Sequence, residues 1–287
     1  MKHQYTIKHV QQISGLGVHS GNFVSVRLKP APDGHGIVFM HNDFPEEPLV
    51  VGQTIPLIAM HATVLRQKSW VLSTVEHLLA AMRMAGIDNA LIEVSGEEIP
   101  ILDGSAAPFL HAIARSGCVV QGVRKYCMPR VTLEFSDAEG RCIVLRPHER
   151  EQMIGKVECT YKAAFNHHAL GVKTIALCVD QKSFKESVAP ARTFGFVEQL
   201  PFLRSKNLAL ASSLGNTLVF NADEPINDVR IADEWVYHKI LDLIGDLGLL
   251  PHPFTGVIEA AQTGHAFNRR VIEHYLASPG DWVIIGG

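Results

Sequence analysis

The 287-residue chain is 47% apolar and 19% charged, with a formal net charge of −3. That apolar share can build a sizeable core and argues against disorder, while the slight negative charge gives no electrostatic reason to expect nucleic-acid binding. The opening MKHQYTIKHVQQ has no apolar run after its basic residues, and no segment reaches the ~20 apolar residues of a membrane span. The five cysteines are odd in number, far apart and lack any C-x-x-C, which fits free thiols in a reducing compartment. A cytoplasmic protein of about two domains is expected, and any metal must be held by His and carboxylate.

Along the first half, turn or breaker clusters at Ser20-Gly21, Ala31 to Gly34 and Pro45 to Pro48 separate strand candidates such as FVSVRL and GIVFM. A helix is predicted from Ser73 to Gly86, then the strand ALIEV, the turn Asp103-Gly104 and a helix from Ser105 to Arg115. RKYCMPR, at 124–130, reads as the connection to a second half. There VTLEF, RCIVLRP and KVECTY are strand candidates, followed by a helix near Ser183 to Ser187. A strong helix from Ala232 to Leu250, the strand GVIEA and a helix from Asn268 to Ala277 complete the chain. Val75-Glu76-His77 and Val236-Tyr237-His238 occupy echoing places, each in a helix that leads through a glycine to ALIEV or GVIEA. The expected architecture is α+β, two similar domains at 1–125 and 126–287, each a small sheet layered with helices. One histidine from each would meet in a shared cleft.

The most informative segment is EWVYHKILDLIGDLGLL. Val236, Ile240, Leu243, Ile244 and Leu247 form an apolar stripe at helical spacing, so one face is buried. His238, Asp242 and Asp246 fall at i, i+4 and i+8 on another face, beside Lys239. Asp is a poor helix former for a merely wet face, and His with Asp at i+4 can hold one metal ion. Glu76 and His77 are adjacent, ~100° apart around a helix axis, and Ser73-x-x-Glu76 is also a capping-box pattern. His265 in the turn after GVIEA, the loop Ala191 to Phe196, the turn Asp103-Gly104-Ser105 and the pair His167-His168 each have an ordinary structural explanation. For His265 and for the His167-His168 pair, that explanation is a surface turn or loop.

Taken together, GLGVHSG at 15–21, STVEHL at 73–78, GIDNALIEV at 86–94, EIPILDGSAAPF at 98–109, FNHHAL at 165–170, ARTFGF at 191–196, HKILDLIGDL at 238–247 and TGHAFN at 263–268 resemble the UDP-3-O-acyl-N-acetylglucosamine deacetylases, in the family's order. The resemblance implies two α+β domains with the active site between them and the committed step of lipid A synthesis. It also implies one Zn²⁺ per chain, held by His77, His238 and Asp242. By the same resemblance Glu76 is the general base, His265 the general acid, Asp246 the carboxylate that orients it, Thr193 the group near the oxyanion, and Lys239 a residue near the sugar and diphosphate. An inserted unit near 195–222 would wall an acyl passage, with Phe194, Phe196, Val197, Leu200, Leu203, Ala209, Ser212 and Phe165 as substrate contacts and Gln262 near the headgroup. A monomer acting on a small acylated UDP-amino sugar is expected.

The chain departs from the family's pattern where Gln262-Thr263 stands for Lys-Ser and Ala211-Ser212-Ser213 for Gly-Gly-Ser. Two rivals follow: a paralogue deacetylating another N-acetyl amino sugar, and a non-enzymatic zinc-binding module. Structural zinc normally has four Cys or His ligands and no open position, so the three-ligand set with an adjacent Glu points to catalysis.

Overall fold

The computed structural model describes residues 3–286. The chain opens with β1 (His3–Ile7), β2 (Gln11–Leu16), β3 (Phe23–Pro30), β4 (Ile37–His41), β5 (Phe44–Val50) and the short pair β6 (Val64–Arg66) and β7 (Val71–Ser73). Helix α1 (Glu76–Ala85), β8 (Ile87–Val94), α2 (Ala107–Ser116) and β9 (Cys118–Val123) follow. Strand order is β2-β3-β8-β1-β9, with β4 beside β8 and β5 outside β4, a seven-stranded mixed sheet among the described residues. β8 lies parallel to β1 and β4 and antiparallel to β3, and it is buried along most of its length.

The chain then crosses to β10 (Lys125–Pro129), β11 (Leu133–Ser136), β12 (Cys142–Arg146), β13 (Val157–Ala164) and β14 (Val172–Val179). One helical turn, α3 (Gln181–Ser183), runs into a π-turn at Phe184–Val188. β15 (Phe194–Phe196), α4 (Leu200–Ser205) and β16 (Leu218–Phe220) precede α5 (Glu234–Leu247), β17 (Gly256–Ala261), α6 (His265–Ala277) and β18 (Trp282–Gly286). The second sheet has the order β11-β12-β17-β13-β14, while β10 pairs with β18 and β15 with β16. Here β17 lies parallel to β13, as β8 lies parallel to β1, so the helix-then-strand echo has a structural counterpart.

Helices α1 and α5 pack on each other and join the two halves. The predicted apolar stripe of α5 is buried, with Val236, Ile240 and Leu243 fully so, and each such side chain contributes about 1.5–3 kcal/mol. Gly245 makes the crossing close, because a Cβ there would collide with the backbone carbonyl of Glu76. Among the described residues no helix is long and apolar enough to cross a membrane.

Several boundaries differ from the sequence reading. Pro45 and Pro48 lie inside β5, tolerated because β5 pairs only with β4 and is an edge strand. Ser73 ends β7, and Thr74 turns the chain with φ of 60°, so α1 starts at Glu76 and the capping box does not form. α6 begins at His265, three residues before the expected Asn268.

Candidate active site

α5 carries His238, Asp242 and Asp246 on one stripe, and all three are buried. The first turn of α1 delivers buried Glu76 and His77 to the same point, beside Gly245. The carbonyl of Ala191, 3.1 Å away, can only accept, so Nδ1 of His238 donates and Nε2 carries the free lone pair. That Nε2 lies 3.3 Å from Oδ1 of Asp242, and His77 Nε2 lies 3.7 Å from the same oxygen. Ligand atoms around a tetrahedral ion at about 2.0–2.1 Å stand about 3.3 Å apart, so this spacing fits a small cation.

Two further observations support a cation. Asp242 Oδ1 is buried with no hydrogen-bond partner among the described residues, which would cost about 1–3 kcal/mol or more if left bare. Burial depresses His238 to about 4 despite the pull of Asp242, which leaves its imidazole neutral and ready to ligate. Burial would raise Asp242, but His238, Lys239 and His265 hold it well below the usual carboxylate range. Lys239 Nζ donates to Asp242 Oδ2 at 2.6 Å, and that carboxylate raises the lysine despite burial.

Opposite stands His265 at the start of α6. Its Nδ1 donates to Asp246 at 2.9 Å, and its Nε2 lies 3.7 Å from Glu76 Oε1. Burial opposes its charge, but Asp246, Glu76 and Asp242 outweigh it and hold the imidazolium up at about 10. For Glu76, burial raises the pKa above the ordinary glutamate value, partly offset by His265 and His77. An acid-ready imidazolium and a base-leaning carboxylate thus face each other over the candidate metal point. His265 is therefore not the exposed turn residue that its position after a strand suggests.

These groups open into a cavity of about 470 Å³. Thr193 lines it, its backbone pinned by donation to the Gly104 carbonyl at 2.8 Å. Phe165, Phe194, Phe196, Leu203, Ala209 and Ser212 form one side, with Phe165 edge-on to Phe194 at 5.4 Å. Lys239 and Gln262 also line it. Asp246 does not, since it stands behind His265. Val197 and Leu200 do not line this cavity; the chain enters a 3₁₀ turn after Phe196, and Val197 is 42% exposed. His167, expected on a surface loop, packs against Phe196 and Phe220 and meets the Asn221 carbonyl through Nε2 at 2.6 Å.

Sequence reasoning missed several residues. His19, His61 and Arg141 line the polar part of the cavity. Arg192 is buried against Glu234, and neither it nor Arg204 lines the cavity. Asn268 donates to Asp246 Oδ2 at 2.7 Å, and Thr63 reaches Asp246 and Glu76 from the first half of the chain. Two quoted motifs carry such residues, GLGVHSG with His19 and TGHAFN with Asn268.

The profile of the family described as UDP-3-O-acyl N-acetylglycosamine deacetylase matches residues 4–277. A protein of Syntrophotalea carbinolica named UDP-3-O-acyl-N-acetylglucosamine deacetylase is 35% identical over 289 residues, covering 99% of this chain and 91% of its own length. Proteins with the same name from Chromobacterium violaceum and Phenylobacterium zucineum are 34% and 35% identical, each over 97% of this chain and over 92% and 95% of theirs.

Proposed function

The chain belongs to the UDP-3-O-acyl N-acetylglycosamine deacetylase family, and from that premise we propose that it hydrolyses the N-acetyl group of UDP-3-O-acyl-N-acetylglucosamine. The products are acetate and a free 2-amino sugar, and the reaction is the committed step of lipid A synthesis. We assign Zn²⁺ to the His77, His238 and Asp242 cluster; its two imidazole nitrogens and one carboxylate oxygen suit that ion and leave a position open. When bound, zinc supplies a Lewis acid that acidifies a water and polarises the acetamide carbonyl.

The chain's own residues do the rest. Glu76 takes the proton of the attacking water on its carboxylate, and its raised pKa makes it a better base than an exposed glutamate. The Thr193 hydroxyl faces the developing oxyanion, and Lys239 fixes Asp242. His265, held protonated by Asp246, donates from Nε2 to the departing amine. The aromatic side of the cavity suits an acyl chain, which favours the acylated substrate over a paralogue's simpler amino sugar. A monomer working in the cytoplasm belongs to the same proposal.

The observation that carries this reading is the 3.7 Å approach of Glu76 and His265 beside the three-ligand cluster. Purified protein should release acetate from the acylated UDP-sugar, and Glu76→Gln should abolish turnover while keeping its metal. Metal-loaded protein that releases no acetate would defeat the proposal in favour of a binding module.

A further inference from the structure

Thr63 is buried in the strand-like approach to β6 and does not line the cavity, so it does not touch a substrate there. It nonetheless meets all three proton-handling side chains. Its backbone N–H donates to Glu76 Oε2 at 3.2 Å, its hydroxyl donates to Asp246 Oδ1, and its Oγ lies 3.2 Å from His265 Nδ1. Oδ2 of Asp246 already accepts from His265 and from Asn268. Among the described residues, Oδ1 has only the Thr63 hydroxyl and the longer 3.1 Å flank of His265 Nδ1.

The two ends of this link belong to different halves of the molecule. Thr63 and Glu76 come from the segment around β6, β7 and α1, whereas Asp246 and His265 come from α5 and α6. Two residues earlier, His61 holds φ of 60°. A non-glycine residue there is disfavoured by about 1–2 kcal/mol, so the surrounding contacts impose this path on the segment.

Resting on the function proposed above, we infer that Thr63 is a positioning residue of the reaction. One hydroxyl aligns the Asp246–His265 pair, one amide aims the Glu76 carboxylate, and together they set the base-to-acid distance across the interface. A valine there keeps the amide and the shape but removes the hydroxyl, leaving Oδ1 under-satisfied. A serine keeps both donors.

The test compares Thr63→Val and Thr63→Ser by kcat, KM, metal content and the low-field proton resonance of His265 Nδ1–H in metal-free protein. Thr63→Val should lower kcat by about 10- to 100-fold, the scale of one hydrogen bond to a charged group. KM should stay within about twofold, metal content should be unchanged and the resonance should shift; these margins are far smaller than one such bond. Thr63→Ser should restore both the rate and the resonance. A wild-type rate with an unmoved resonance in Thr63→Val would overturn the inference. So would a loss confined to KM, or an equal loss in Thr63→Ser. Should the wild-type protein release no acetate, the functional reading fails, while the resonance still decides whether Thr63 aligns the pair.

Discussion

Replacing Asp246 by Asn isolates the acid half of the mechanism. Burial would press His265 below its ordinary 6.5, yet three carboxylates hold it at about 10, and Asp246 supplies the largest upward push. The substitution keeps an acceptor oxygen near Nδ1 and removes the charge that lies 2.9 Å away. Loss of an adjacent opposite charge shifts a pKa by about 1–3 units, which is about 1.4–4 kcal/mol. A general acid works only while protonated, so the basic limb of kcat/KM against pH should move to lower pH by that interval. The acidic limb belongs to Glu76 and should move far less. An ion in the cluster lowers the starting point of both proteins alike, so the difference between them is diagnostic. Acetate release followed from pH 5 to 10.5 at fixed ionic strength reads both limbs, the range bracketing the ordinary histidine and carboxylate values. A basic limb that stays in place would refute His265 as the acid held by Asp246. The same shift bears on stability of the metal-free protein. The folded pKa lies above the unfolded value of 6.5, so the contribution is complete below about 6.5 and is lost as pH rises through about 10. Asp246→Asn should flatten that slope in thermal melts.

The ligand assignment predicts that His77→Ala, His238→Ala and Asp242→Ala each lower metal content by direct elemental analysis. A normal content in the His238 variant would remove it from the cluster. Ser212 lines the cavity and shares a 2.9 Å hydrogen bond with Thr217. Ser212→Gly should strengthen binding of long acyl chains more than short ones, each buried methylene being worth ~0.8 kcal/mol; equal gains across a chain-length series would place the acyl tail elsewhere. Gln262 lines the polar part of the cavity, as does Arg141, which is already shared with Asp137 and Glu139. Gln262→Lys should lower KM for the UDP-linked substrate several-fold, steepen its salt dependence and spare kcat, since a remote phosphate contact is uniform binding. A flat KM with unaltered salt dependence would show that Arg141 alone serves the headgroup.

What was legible in the sequence was local. The buried stripe of α5 and the register of His238, Asp242 and Asp246 follow from helical period alone, and α5 shows both. The errors came where a residue's partner is distant. Ser73 reads as a helix cap until β7 claims it, and Pro45 and Pro48 read as a turn until the edge position of β5 makes them harmless. Thr63 lies 183 positions from Asp246, and nothing in its neighbourhood announces that contact.

Backbone strain explains why the cavity was harder to read than the core. His61, Thr74, Ala209 and Gln262 all border the cavity, and all hold positive φ between 54° and 60° without being glycine. Glycine is the residue that announces such a conformation in a sequence, so these four turns were silent. Each is disfavoured by about 1–2 kcal/mol, and such residues persist only where surrounding contacts over-determine them. Those contacts are visible here. Thr74 donates to buried Glu98, which also accepts from the backbone of His19 and Ser20, and Gln262 donates to the Lys162 carbonyl at 2.9 Å. The cost therefore falls on the loops, while α1 and α5 stay regular and meet at Gly245. That division keeps Glu76, His77, His238 and Asp242 on rigid helices and leaves the substrate-facing wall to segments whose shape is imposed by their neighbours.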